Sequence, residues 1–232
     1  MKAQADPAPA PAQSQKEKEP QPPIYLDSAE GFSRLEESDR RSFVTLGMFF
    51  LSQETQTFCG VASSTMVLNA LVPQEERPLV PEWDPYRLFA QSVFFTPKVE
   101  EIAPRKVVLK QGMTLQQLGE ALRTFPVEAT VSHASDKSEK DFREDAKDAL
   151  RGPASCLIVN YLRSSVGQKG GGHFSPIAAY HEKSDSFLVY DVARYKYPPS
   201  WVKTTDLWNA MNTIDSDSGK TRGYLLITKV SR

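Results

Sequence analysis

Cysteine and histidine are scarce. The 232 residues hold two cysteines, Cys59 and Cys156, and three histidines, His133, His173 and His181. No C-x-x-C or H-E-x-x-H spacing occurs, so a closed zinc site would consume nearly every nitrogen and sulfur ligand in the chain; no bound metal and no cofactor is expected. Long apolar runs are missing too. The longest candidates, Phe49 to Leu51 and Cys156 to Val159, fall far short of the ~18 residues that cross a bilayer, so no membrane partner is expected. Neither charge is in excess: 28 Lys and Arg against 29 Asp and Glu leave a formal −1, without the basic surplus that recruits nucleic acid. The two cysteines could pair in an oxidising compartment, which their spacing does not decide.

What is present is a globular balance, 40% hydrophobic and 25% charged, in a length that suits one domain of two lobes or two small domains. Residues 1–23 stand apart. They hold six of the 17 prolines and no aromatic or β-branched residue, and so read as a tail that cannot bury enough surface to offset the entropy of ordering. Ala3-Gln4-Ala5 has the small-x-small spacing of a signal-peptidase site without a preceding apolar segment. Cytoplasm and periplasm both stay open.

From Ile24 onward helices precede strands. Ser28 is placed to cap a helix over Ala29–Leu35, and Asp84-Pro85 reads as cap and first-turn proline of a helix over Tyr86–Val93. Thr114 with Gln117 and Ser138 with Asp141 are capping boxes, the second preceding Phe142, Ala146 and Leu150 on one helical face. Arg151-Gly152-Pro153 stops that helix. Four short β-type runs follow, Ser155–Leu162, Phe174–Tyr180, Phe187–Val192 and Gly223–Val230, with a helix from Thr205 or Asp206 to Asn212 between the last two. Their spacing predicts an antiparallel sheet.

Cys59 opens an apolar run through Leu71. On the first turn of a helix, a thiol meets unpaired N–H groups and the positive end of the dipole, which favour thiolate. The bland alternative is a small buried hydrophobe. His173 follows Gly170-Gly171-Gly172 and opens a strand; Asp191 ends the next one. A hairpin centred near Glu182 sets them opposite each other, giving an imidazole the carboxylate that fixes its tautomer. The order Cys, His, Asp, with 114 residues between the first two, is that of papain-like thiol enzymes. Gln53 stands six residues before the cysteine, where an amide commonly donates to the oxyanion.

Four stretches, QETQTFCGVASSTMVLN (Gln53–Asn69), NYLR (Asn160–Arg163), GHFSPIAAYH (Gly172–His181) and DVARYKYPPSWV (Asp191–Val202), resemble the phytochelatin synthase family in its short bacterial form. The resemblance covers about residues 25–230. It implies an α+β, papain-like fold: a single catalytic domain over 24–232, with a mainly helical lobe (24–153) carrying the nucleophile and a mainly antiparallel sheet lobe (154–232) carrying His and Asp. It implies cleavage of glutathione at its Cys–Gly bond. Cys59 is then the acylated nucleophile, His173 the base and acid, Asp191 the orienting carboxylate and Gln53 the oxyanion donor. Asn160, Arg163, Gly172, Asp215, Arg222 and Tyr224 fall where the family binds the γ-glutamyl end, an Arg fork being suited to its carboxylate. Glutathione is the partner, as donor and as acceptor, the latter free or as a metal thiolate; a homodimer stays open. Hydrolysis of the thioester is expected to exceed transfer to a second glutathione. Plant-type members add a cysteine-rich C-terminal region, and the end of this chain at Arg232 puts metal sensing through protein thiols in doubt.

Two other readings compete: a papain-type endopeptidase acting on proteins, and a non-catalytic module that binds glutathione or its metal thiolates. The aromatic and proline cluster Tyr195, Tyr197, Pro198, Pro199 and Trp201 is expected to pack its loop against the sheet. Cys156 reads as a buried structural residue, and His133 and His181 as surface residues.

Overall fold

A computed structural model describes residues 22–230. All but the last two residues of the tail expected over 1–23, and the small-x-small spacing within it, lie outside the described residues.

Among the described residues, seven strands form one sheet: β1 (Ile24–Tyr25), β2 (Val127–His133), β3 (Ser155–Leu162), β4 (Gly172–His181), β5 (Ser186–Val189), β6 (Ser200–Lys203) and β7 (Gly223–Lys229). Their order is β1-β6-β5-β4-β3-β7-β2, and every neighbouring pair is antiparallel. The molecule is thus a mixed helix and antiparallel-sheet fold of the α+β class. Both edge strands precede residue 153, so the sheet is not confined to the residues after it.

Among the described residues, eight α-helices flank the sheet: α1 (Ala29–Glu36), α2 (Arg41–Gly47), α3 (Cys59–Leu71), α4 (Pro97–Ile102), α5 (Arg105–Gln111), α6 (Leu115–Leu122), α7 (Glu139–Arg151) and α8 (Thr204–Met211). Local chemistry starts several of them. Ser28 Oγ accepts the Gly31 N–H at 3.0 Å. Both halves of the Thr114/Gln117 box form, at 3.2 and 2.9 Å, as do both halves of the Ser138/Asp141 box, at 3.2 and 2.9 Å. The helix expected over Tyr86–Val93 does not form. Asn69, buried in α3, takes the Phe89 N–H and gives its own amide to the Phe89 carbonyl, both at 2.8 Å, so the backbone groups a helix would use are held by a distant side chain. Only a 3-10 turn over Gln91–Val93 remains.

The sheet lies between two apolar layers. Cys156 and Ile158 of β3, Leu225 and Ile227 of β7, and Leu188 of β5 pack with α3 and α6. The alternate residues Leu157, Val159 and Tyr161, Tyr224, and Phe187 and Val189 pack with α7 and α8. Period-two alternation sends successive side chains to opposite layers. Because both faces are buried against apolar layers, these strands read as continuous apolar runs. Phe142 of α7 anchors the second layer, its ring 5.3 Å from those of Phe187 and Tyr224; truncating such a buried ring to Ala costs about 3–5 kcal/mol.

Candidate active site

Cys59 is the first residue of α3, and Phe58 before it supplies no side-chain cap, so the N–H groups of the first turn stay available. Gly60 lets this helix end settle onto β4: a Cβ there would come within 3.3 Å of Leu118 and 3.5 Å of Phe174. The thiol is half-buried. Burial pushes its pKa up, but hydrogen bonding to His173, the imidazolium charge and the N–H groups of Phe174 and Gly60 outweigh that and hold it below the ordinary thiol value.

His173, buried near the start of β4, places Nε2 2.9 Å from Asp191 Oδ1 and 3.0 Å from Ser175 Oγ. With Nε2 so engaged, Nδ1 is the ring nitrogen left for the thiol. Burial disfavours the imidazolium; hydrogen bonds to Asp191 and Cys59 and their negative charges outweigh it, so His173 stays above its ordinary value. Asp191 is fully buried. Burial would raise its pKa, yet His173 and Arg163 hold it well below the usual carboxylate range. Its oxygens accept from Arg163 Nη1 and Nη2 at 2.7 and 2.8 Å and from the Ala193 N–H at 2.9 Å.

The expected contact between positions 173 and 191 forms, in a different register. Ile177 pairs with Val189, and the Tyr190 N–H reaches the Pro176 carbonyl at 2.9 Å; the same frame sets Asp191 opposite Ser175. His173 is two residues further along, on the same face. The turn-proximal half of the hairpin runs in another frame, Ala179 with Leu188, and a bulge at Ala178 joins the two. Without that extra residue, Asp191 would fall opposite Pro176 and turn to the other face.

A cavity of about 210 Å³ is lined by Cys59, Asn160, Gly172, Phe174, Asp215, Asp217 and Arg222, together with Gln56, Thr57 and Met113. Arg222 Nη1 donates to the Ile214 carbonyl at 2.7 Å and to Thr213 Oγ1 at 3.0 Å, and Nη2 lies 3.5 Å from Asp215 Oδ1. Its Nε is buried without a partner. Burial lowers the Arg222 pKa, opposed by the charges of Asp215 and Asp217. A Cβ on Gly172 would stand 3.1 Å from Arg222 Nε and Nη2, so a side chain there would press on the guanidinium. Asn160 donates to the His173 carbonyl at 3.3 Å. A larger hollow of about 520 Å³ lies between α2 and β3 over Cys156; no histidine lines it, and burial pushes that thiol up to about 12.

Of the ten site residues expected from sequence, five line the cavity (Cys59, Asn160, Gly172, Asp215, Arg222), and His173 and Asp191 join Cys59 from behind. Two do not lie where expected. Arg163 turns its fork to Asp191 and Gln168, not to the cavity. Tyr224 points into the α7 layer, where its hydroxyl donates to Asp145 at 2.6 Å, and it does not line the cavity. Gln53 is buried in the loop before α3, its Nε2 donating to the Thr55 carbonyl at 2.7 Å and to Tyr195 Oη at 3.1 Å, while its Oε1 has no partner. His133 and His181 are buried rather than superficial: His133 Nδ1 meets the Thr221 carbonyl at 2.6 Å, and His181 bridges Ser184 and Glu37. Both cysteines are free. The aromatic cluster divides: Trp201 is buried and donates to the Gly31 carbonyl at 2.9 Å, whereas Tyr195 is exposed. Sequence reasoning missed Ser175, Gln168 and Tyr161, which complete the buried network. The i, i+2 spacing of Ser175 from His173 was the available signal.

Among the described residues, no group of three or more His, Cys, Asp or Glu is arranged to hold a metal ion, and no helix is long and apolar enough to cross a membrane.

A family profile described as Phytochelatin synthase matches residues 14–224. Among curated proteins, the chain is 36% identical over 216 residues to glutathione gamma-glutamylcysteinyltransferase 3 of Lotus japonicus, covering 91% of this chain and 43% of the relative. It is 36% identical over 222 residues to the Triticum aestivum glutathione gamma-glutamylcysteinyltransferase 1, covering 90% and 41%. The Schizosaccharomyces pombe glutathione gamma-glutamylcysteinyltransferase is 28% identical over 195 residues, covering 83% and 45%. The chain thus spans less than half the length of these relatives.

Proposed function

The chain belongs to the phytochelatin synthase family, and from that premise we propose that it cleaves glutathione, γ-Glu-Cys-Gly, at the Cys–Gly bond through a γ-Glu-Cys thioester on Cys59. One observation supports this above the rest. A thiol whose pKa is held below its ordinary value by His173 and by backbone N–H groups opens onto a cavity that also holds an unpartnered Arg222 Nε–H and two carboxylates. A free γ-glutamyl end carries one α-carboxylate and one α-ammonium; Arg222 suits the first, and Asp215 or Asp217 the second. A papain-like arrangement, with residues 24–232 acting as one catalytic domain, is the reading of the fold that accompanies it.

The Cys59 thiolate attacks the carbonyl carbon of the Cys–Gly amide. The C–N bond breaks, and the proton on His173 Nδ1 goes to the departing glycine amine. The thioester remains. His173, now neutral, takes a proton from water or from the amine of a second glutathione as either attacks the thioester, and the departing Cys59 thiolate restores the ion pair. Water gives γ-Glu-Cys, the main product; a second glutathione, free or as a metal thiolate, gives (γ-Glu-Cys)2-Gly. The first-turn N–H groups of α3 face the developing oxyanion. Gln53 joins them by redirecting the hydrogen it lends to the exposed Tyr195 hydroxyl.

Intact mass after brief exposure to glutathione tests this reading. The wild type is expected to gain γ-Glu-Cys minus water and to release free glycine, and Cys59→Ala to do neither. Cleavage of casein without glycine release from glutathione would favour an endopeptidase and end the proposal.

A further inference from the structure

Arg163 follows β3 as the first residue of a short 3-10 turn, buried to 4% exposure. Its Nη1 and Nη2 lie 2.7 and 2.8 Å from Asp191 Oδ2 and Oδ1, and Nη1 is also 2.5 Å from Gln168 Oε1. The Tyr197 ring covers the guanidinium, its centroid 5.2 Å away. The backbone holds the stem as well: the Arg163 N–H donates to the Gly171 carbonyl at 3.1 Å, and its carbonyl accepts from the Gln168 N–H at 3.0 Å. Gly170, at φ +134°, lets the chain cross the stem where a Cβ would stand 3.0 Å from Arg163 Cδ. This is a built clamp on one carboxylate.

We propose that Arg163 is a positioning residue for His173: its fork aims Asp191 at Nε2 and offsets part of the carboxylate's charge, so that the imidazolium is stabilised without being locked. The proposal rests on Cys59, His173 and Asp191 being the reacting groups. A bidentate pair has one geometry, and the Asp191 oxygen that meets His173 is one of the two that the fork holds. The cation also acts by charge. Removing a buried positive charge raises the pKa of every group around it, thiol and imidazolium alike. The titratable or charged groups turned toward this pair are Cys59 from α3, Tyr161 from β3, His173 from β4, Tyr25 from β1, and Lys196 and Tyr197 from the chain after Asp191. Tyr25 and Tyr161 are both held above the usual phenol value, burial being the main cause, and stay neutral through the range of interest.

The pH profile of Cys59 alkylation by iodoacetamide, read at the Cys59 peptide by mass, needs no glutathione. In Arg163→Met both inflections are expected to move upward, by roughly one unit. For glycine release, kcat is expected to fall about 10- to 100-fold with KM for glutathione within about two-fold of wild type. Arg163→Lys should return the inflections toward wild type while kcat stays low, because the charge is restored without the fork. Unmoved inflections, or a raised KM with kcat kept, would overturn the proposal; the second result would make the guanidinium a substrate contact. Since Arg163→Met leaves a lone buried carboxylate that can prevent folding, the cycle is completed with the neutral pair Arg163→Met/Asp191→Asn. If Arg163 acts through Asp191, its loss changes kcat less than about three-fold once Asp191 is already Asn. A multiplied loss in the double variant refutes it. Wild type that alkylates with two inflections but releases no glycine would sink the proposed reaction and leave the positioning role answerable.

Discussion

Two arginines stand on either side of the strand ends that carry the site, and they differ in what they have left to give. Arg163 has both terminal nitrogens on protein acceptors within 2.8 Å, inside a network in which Asp191, His173, Ser175 and Gln168 satisfy one another. Arg222 is almost as buried, yet its Nε has no partner and its contact with Asp215 is long, at 3.5 Å. A closed network fixes geometry, because any movement leaves a charge unpaired in a low-dielectric setting. An incomplete one is a standing cost that a ligand can remove. In the proposed reaction, the side with Arg163 is the one that moves a proton, and the side with Arg222 the one that holds the substrate.

The comparison makes distinct kinetic demands. Asp191→Asn, on the closed side, is expected to lower kcat by about 10³- to 10⁴-fold, by analogy with the orienting carboxylate of other triads, with KM for glutathione little changed. A rise in KM there would blur the two sides. Arg222→Met, on the open side, should lower kcat/KM by about 10- to 100-fold, carried mostly by KM. That is the range of a hydrogen bond to a charged group, about 1.5–3 kcal/mol.

The pH profile of kcat/KM sharpens the picture further. Cys59 is held below its ordinary value and His173 above, and both shifts favour the thiolate–imidazolium pair that the proposed reaction uses. Activity is expected to fall about ten-fold per unit on the acid side, as the thiolate takes up a proton below the ordinary thiol range, and again on the alkaline side, as the imidazolium loses its proton above about 6.5. Steady-state rates across pH check both limbs; an alkaline limb below 6.5 would show that Asp191 does not support the imidazolium. The smallest effect is reserved for Tyr224→Phe. It should change kcat/KM less than about two-fold while lowering stability to denaturant by about 1 kcal/mol, the value of the lost Asp145 hydrogen bond.

Legibility followed the range of the cause. The helices capped by Ser28, Thr114 and Ser138 were readable because cap and acceptor sit three residues apart. The helix expected after Asp84 was not, because Asn69, twenty positions from Phe89 in sequence, decided that segment. β2 carried a signal that went unused: Val127, Ala129 and Val131 alternate with Glu128, Thr130 and Ser132. Cys59, His173 and Asp191 could be placed together because the assumed register erred by two residues, which leaves the face unchanged. Arg163 and Tyr224 could not be assigned a side at all. Tyr224 lies in, and Arg163 just past the end of, a strand that is apolar on both faces, so no alternation of polarity marks which face looks at the cavity. The resemblance supplied the neighbourhood of these two residues but not the direction of their side chains.

The additional residue at Ala178 has a mechanical consequence. It separates the pairing frame set by the turn from the frame that holds the imidazole and its carboxylate. A one-position slip near His181 and Ser186 can be absorbed there, by moving or erasing the irregularity, before it is transmitted to the chemistry. Ala178 is slack in the hairpin: the tip can be redesigned, lengthened or tethered while the working end keeps its alignment.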